Sequence, residues 1–105
     1  MKGLLINPTD KTITEVEIAQ GLQPIYDALG NNCTTFAVPI VYPNGDGMYV
    51  DDEGLFKQQN GGFQFPNWSY PLLGNALILG SDEEGNSVDV KTTKEELLKD
   101  IEWLF

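Results

Sequence analysis

The sequence predicts an α+β domain built on a mainly antiparallel sheet of five or six strands, with one short helix and one C-terminal helix in the order ββαββ, irregular segment, ββα. Three observations lead there. Short apolar runs recur at Lys2–Asn7, Phe36–Tyr42, Met48–Asp51 and Ala76–Leu79, and each stops at a turn rich in Gly, Asn or Asp. Helical spacing appears only around Ile25 and near the C-terminus. A length of 105 residues suits one core, so residues 1–105 read as a single domain.

Lys2–Asn7 is continuously apolar and ends at Asn7-Pro8-Thr9-Asp10, as a strand buried on both faces and followed by a turn would be. A central position for it allows mixed pairing. Thr12 to Ile18 alternates, with Thr12, Thr14, Val16 and Ile18 on one face and Glu15 and Glu17 on the wetter one, which reads as the return arm of a hairpin. Pro24 and Gly30 bracket Ile25–Leu29, placing proline in the first helical turn and glycine past the last. Leu22, Ile25 and Leu29 then form the stripe that covers the sheet.

Phe36, Val38, Ile40 and Tyr42 alternate with Ala37, Pro39 and Val41. Because Pro39 has no N–H for a ladder bond, this strand belongs at an edge or a bulge. Pro43-Asn44-Gly45-Asp46-Gly47 is a hairpin turn, and Met48–Asp51 is its second arm. Residues 56–74 are irregular, with room for one short strand, and such length points to function or to a missed element. Ala76–Leu79 and the returning Val88 and Val90 form another hairpin. Thr92 or Thr93 then caps a C-terminal helix whose apolar stripe is Leu97, Leu98, Ile101 and Leu104.

Charge narrows the function classes. Sixteen Asp and Glu oppose six Lys, with no Arg or His, for a net charge of −10. Direct nucleic-acid binding is not expected, since phosphate contact needs clustered cations, and an anionic membrane surface is disfavoured for the same reason. Cys33 stands alone, so no disulfide framework forms, and without a neighbouring cation it reads as a small buried side chain rather than a nucleophile. The N-terminal apolar run is too short for a signal peptide or a membrane span, which suggests a cytoplasmic protein.

Two turns concentrate the carboxylates: Asp51-Asp52-Glu53-Gly54 and Asp82-Glu83-Glu84-Gly85. Neither carries the alternating ligand pattern of a calcium loop, so solvated turns are expected and no metal or other cofactor is assigned. Exposed turns also do not hold paired carboxylates in a cleft, and with no nucleophile and base together the chain reads as no enzyme, with no catalytic residues. Gly61-Gly62 lacks the Lys-Ser or Lys-Thr of a phosphate loop. Phe63, Phe65, Trp68 and Tyr70 are the sharper candidates. Large aromatics in an irregular segment suit a partner-binding patch, while the plainer reading folds them back into the core. Trp103 and Phe105 would extend the patch or pack against it.

The ordered set Met1-Lys2-Gly3-Leu4-Leu5-Ile6-Asn7-Pro8, Tyr49-Val50-Asp51-Asp52-Glu53-Gly54-Leu55 and Pro71-Leu72-Leu73-Gly74-Asn75-Ala76-Leu77-Ile78-Leu79-Gly80 resembles the family of domains of unknown function 3846, over most of the chain. The resemblance implies an origin in a phage or mobile element, hence residence in the host cytoplasm, and supplies no catalytic residues. The chain departs from the family pattern mainly between Phe63 and Tyr70.

The function expected from these observations is binding and modulation of a host protein with a basic surface, without catalysis. Partner contacts are expected at Phe63, Phe65, Trp68 and Tyr70 and at the acidic turn Asp51, Asp52 and Glu53. One alternative is a small-ligand or nucleotide-sequestering protein whose aromatics stack on a base. Another is an acidic DNA mimic. A domain about 30 Å across would have to match roughly 18 duplex phosphates at one per about 1.7 Å, so mimicry calls for a homodimer or carboxylates gathered on one face.

Overall fold

A computed structural model of the chain describes residues 1–30, 33–53, 61–66 and 71–104. In chain order the elements are β1 (Lys2–Asn7), β2 (Thr12–Glu17), α1 (Gln23–Leu29), β3 (Phe36–Val41), β4 (Gly47–Asp51), β5 (Gly62–Gln64), β6 (Leu72–Leu73), β7 (Ala76–Ser81), β8 (Ser87–Val88), α2 (Lys94–Asp100) and β9 (Glu102–Leu104). The main sheet runs β2-β1-β7-β4-β3, with β8 paired to the end of β7, and β6-β5-β9 form a second, smaller sheet. This is the α+β architecture expected.

The most apolar run of the sequence becomes the centre of the main sheet. Ala76, Leu77, Ile78 and Leu79 of β7 are all fully buried, because each face of the sheet is covered. Cross-strand partners share a face, so the pairs Leu4↔Ile78, Ile6↔Ala76, Met48↔Ile78 and Val50↔Ala76 fix one apolar surface. Phe63, Phe65, Val90 and Leu97 close over it. Leu77 and Leu79 point the other way and meet Ile25 and Leu29 of α1, with Ile18 and Cys33 alongside. Each such side chain contributes roughly 1.5–3 kcal/mol by leaving water.

Five details depart from the sequence reading. Leu22, expected on the stripe of α1 that covers the sheet, is exposed, and only Ile25 and Leu29 of that stripe are buried. All described strand pairs are antiparallel, so the mixed pairing that a central β1 allowed does not occur, although β1 is an interior strand flanked by β2 and β7. The face of β2 that carries Glu15 and Glu17 is not uniformly wet, since Ile13 is buried opposite Ile6. The irregular segment supplies two short strands, β5 and β6, rather than one.

The C-terminal helix also stops early. Thr93 caps it by accepting a hydrogen bond from the Glu96 amide at 3.2 Å, but at Ile101 the backbone turns extended, with φ −70° and ψ 135°. Glu102–Leu104 then pair with β5. Ile101 and Trp103 face the core two residues apart while Leu98 is exposed, so the expected stripe continues with a strand period. Pro39 behaves as its chemistry requires: β3 is an edge strand with a register shift between Ala37 and Ile40. No described helix is long and apolar enough to cross a membrane.

Candidate functional site

The two acidic turns lie at opposite ends of the sheet. β4 and β7 are antiparallel, with Gly47 opposite Leu79 and Val50 opposite Ala76, so Asp51 leaves β4 where β7 begins while Asp82 follows the end of β7. They cannot share a ligand. Each instead organises its own backbone: Asp51 Oδ1 accepts from the Glu53 amide at 2.9 Å, and Asp82 Oδ1 accepts from the amides of Glu84 at 2.9 Å and Asn86 at 2.8 Å. These are aspartate turns of the ordinary kind. Hydrogen bonds from Asn86 first, then from Glu84 and Gly85, hold the Asp82 carboxyl below the usual aspartate range. Among the described residues, no three His, Cys, Asp or Glu side chains come together as a metal site would require.

The aromatic patch expected between residues 63 and 70 divides. Phe63 is 0% exposed and Phe65 5%, their rings edge to face with centroids 5.8 Å apart. The expectation that these two contact a partner is corrected: both rings belong to the core cluster with Leu4, Ile6, Met48 and Ile78 of the main sheet, where large aromatics supply core area. Trp68, Tyr70 and Phe105 lie outside the described residues. Trp103 is half-buried against the same core.

Another constellation, not foreseen as a site, joins the β3–β4 turn to the start of α2. Asp46 is fully buried. Its carboxylate accepts from the Lys91 amide at 3.1 Å, the Thr92 amide at 2.6 Å and the Thr92 hydroxyl at 2.5 Å. Asn44 completes the joint, its Nδ2 donating to the Thr92 hydroxyl at 3.1 Å and its Oδ1 accepting from the Asp46 amide at 3.0 Å. The Lys91 ammonium donates to the Asn44 carbonyl at 3.2 Å. Burying a carboxylate is tolerable only with such a complement of donors.

This joint forms one wall of a groove of about 380 Å³ lined by Tyr42, Pro43, Asn44, Phe65, Thr92, Glu96, Leu97 and Asp100. Its floor is apolar, from Phe65 and Leu97. Along Phe65 and Asp100 it continues into a smaller depression of about 220 Å³ bounded by Gln64, Pro66 and Glu102. Burial, helped by the nearby Asp46 carboxylate, pushes the Tyr42 phenol up to about 12. Asp46 and Thr92 carried no signal that would have found this place, because they lie 46 residues apart in sequence. The spacing of Glu96 and Asp100 did, for residues four apart lie on one helical face.

The charged side chains that line the groove, Glu96 and Asp100, are both carboxylates. Glu17 pairs with the N-terminal ammonium at 3.6 Å. Among the described residues no cation lies within ion-pair distance of the side chains of Glu96, Asp100 or Glu102. Nucleotide phosphates would be repelled by Glu96 and Asp100 here, against a single Lys91 ammonium held at the Asn44 carbonyl.

The sequence model of one family, described as domain of unknown function (DUF3846), matches residues 1–102. No curated protein and no solved structure matches the chain.

Proposed function

Since the chain belongs to the family of domains of unknown function DUF3846, whose description fixes no activity, we propose that it is a non-catalytic binding domain, carried by a phage or mobile element, that engages and modulates a host protein through a basic surface of that protein. One observation carries this reading: the charge of −10 is spread over exposed carboxylates, including Asp52, Glu53, Glu83, Glu84, Glu96 and Asp100, that no described cation neutralises. Such a field speeds encounter with a basic partner and repels acidic ones. The acidic turn Asp51-Asp52-Glu53 contributes to this field at one end of the sheet and Asp82-Glu83-Glu84 at the other.

Imitation of DNA is less well supported. Over the 36 Å long axis of the domain a duplex shows roughly 20 phosphates at one per about 1.7 Å, and the carboxylate clusters sit at opposite ends rather than along one face. The test of the favoured reading is affinity capture from host lysate at low ionic strength. A stoichiometric partner with a basic surface is expected, released near 1 M salt, where the screening length falls to about 3 Å. Recovery of no partner, or of one whose retention ignores salt, contradicts the proposal.

A further inference from the structure

We infer that the groove between the β3–β4 turn and α2 is the recognition site for a basic peptide segment of the partner, taking a lysine or arginine side chain with its apolar stem on Phe65 and Leu97 and its cationic head between Glu96 and Asp100. The inference rests on the reading of the domain as a binder of a basic protein surface and names where that surface is read.

Shape and charge agree on this occupant. The groove holds about 380 Å³, within the lower range of sites that enclose a ligand group, and its contents must satisfy an apolar floor and a carboxylate rim at once. Long cationic side chains do this, because their methylenes lie on apolar surface while the head reaches charge. The neighbouring depression beside Gln64, Pro66 and Glu102 extends the track past one residue, so an extended segment fits better than an isolated ion. Tyr42 lines the same groove with a phenol hydroxyl that makes no hydrogen bond among the described residues, a free partner for a peptide carbonyl.

The arrangement is also locally unfavourable in the free domain. Glu96 and Asp100 are four apart on one helix, where like charges repel, and Asp100 ends α2, where the helix dipole disfavours an anion. Lys99, the one basic residue of that last turn, makes no ion pair with either. A cationic side chain seated between the two carboxylates removes both penalties. The Asp46–Thr92 joint holds the opposite wall in place without using its own charge, which is already satisfied by three donors, the Lys91 and Thr92 amides and the Thr92 hydroxyl.

The test is an NMR titration of the whole domain with a hexa-arginine peptide and, separately, with spermidine. The peptide is expected to shift the signals of Tyr42, Phe65, Thr92, Leu97 and Asp100 saturably. The double variant Glu96→Gln/Asp100→Asn should weaken it about tenfold, while Glu83→Gln/Glu84→Gln, an equal charge change in the distant turn, should stay within about twofold. Equal weakening by both variants, shifts confined to the acidic turns, or spermidine binding as tightly as the peptide each overturns the assignment of the groove, while leaving the acidic surface as a binder of basic partners. No binding of the peptide even at low salt overturns both.

Discussion

The carboxylate of Asp46 and the side chain and amide of Thr92 meet at 2.5 and 2.6 Å across 46 residues of sequence, locking the β3–β4 turn to the segment that starts α2. Asp46→Ala leaves the amides of Lys91 and Thr92 and the Thr92 hydroxyl without their acceptor in a buried place, which should cost about 3 kcal/mol. Thr92→Val removes only the hydroxyl and should cost about 1–2 kcal/mol. Urea denaturation of both variants and of the pair gives the coupling, expected at about 1 kcal/mol or more.

Tyr42 titrates against that same carboxylate. Burial first, and the Asp46 charge second, raise its phenol to about 12, above the ordinary value near 10. The neutral phenol is therefore favoured by folding. Its contribution is complete below about pH 10 and is lost as pH rises toward 12. Tyr42→Phe should flatten this alkaline decline while changing stability at neutral pH by no more than about 0.5 kcal/mol, and Asp46→Asn should bring the phenol partway back toward its ordinary value. Ultraviolet titration of the phenolate reads both.

Gly80 lies at the crossing of β7 with the strand that returns toward β1. A Cβ there would sit 2.3 Å from the Asp89 carbonyl oxygen, so the backbones must part. Gly80→Ala should cost about 2 kcal/mol or more. Gly85, in the β7–β8 turn, has φ of 85° and open space around it, so Gly85→Ala should cost about 1 kcal/mol through backbone strain alone. Thermal unfolding of the two variants separates crowding from strain.

Asp82 gives an acid-side prediction. Its carboxyl is held below the usual aspartate range by donors from Asn86, Glu84 and Gly85. The charged form is therefore favoured by folding, a contribution present above the unfolded-state value and lost as pH falls through the lowered one. Carbon-detected NMR should find this carboxyl titrating below that of an unstructured aspartate, and Asp82→Asn should loosen the β7–β8 turn at neutral pH, read as faster amide exchange at Glu84 and Asn86.

The groove carboxylates should show the opposite sign in stability. Asp100→Asn relieves a like-charge pair with Glu96 and an anion at a helix C-terminus, and should stabilise the free domain by about 0.5 kcal/mol, whereas Glu96→Gln also gives up an anion in the first turn of α2 and should gain less. A loss of stability in urea denaturation would mean that these charges serve the fold.

Much of the fold is legible in the residues themselves. The unbroken apolar run Ala76–Leu79 announces a strand covered on both sides, Pro39 announces the edge, and Thr93 with Glu96 announces the start of α2. The end of α2 is not legible, because Leu97, Ile101 and Leu104 fit a helical stripe as well as they fit a helix followed by a strand; only pairing with β5 decides. Phe63 and Phe65 illustrate the harder limit. An aromatic residue in an irregular stretch serves a core or an interface equally well in sequence, and here the second sheet turns both inward. The candidate site was legible only as the i, i+4 carboxylates of α2. Its other wall depends on Asp46 finding Thr92, a contact that no local pattern encodes.

If an uncompensated acidic surface recognises a basic protein partner, the association rate constant of the captured partner must depend on ionic strength. Stopped-flow measurements should show a steep fall in that rate as salt rises, with a much smaller change in the dissociation rate. An association rate indifferent to salt would rule out recognition through the acidic surface.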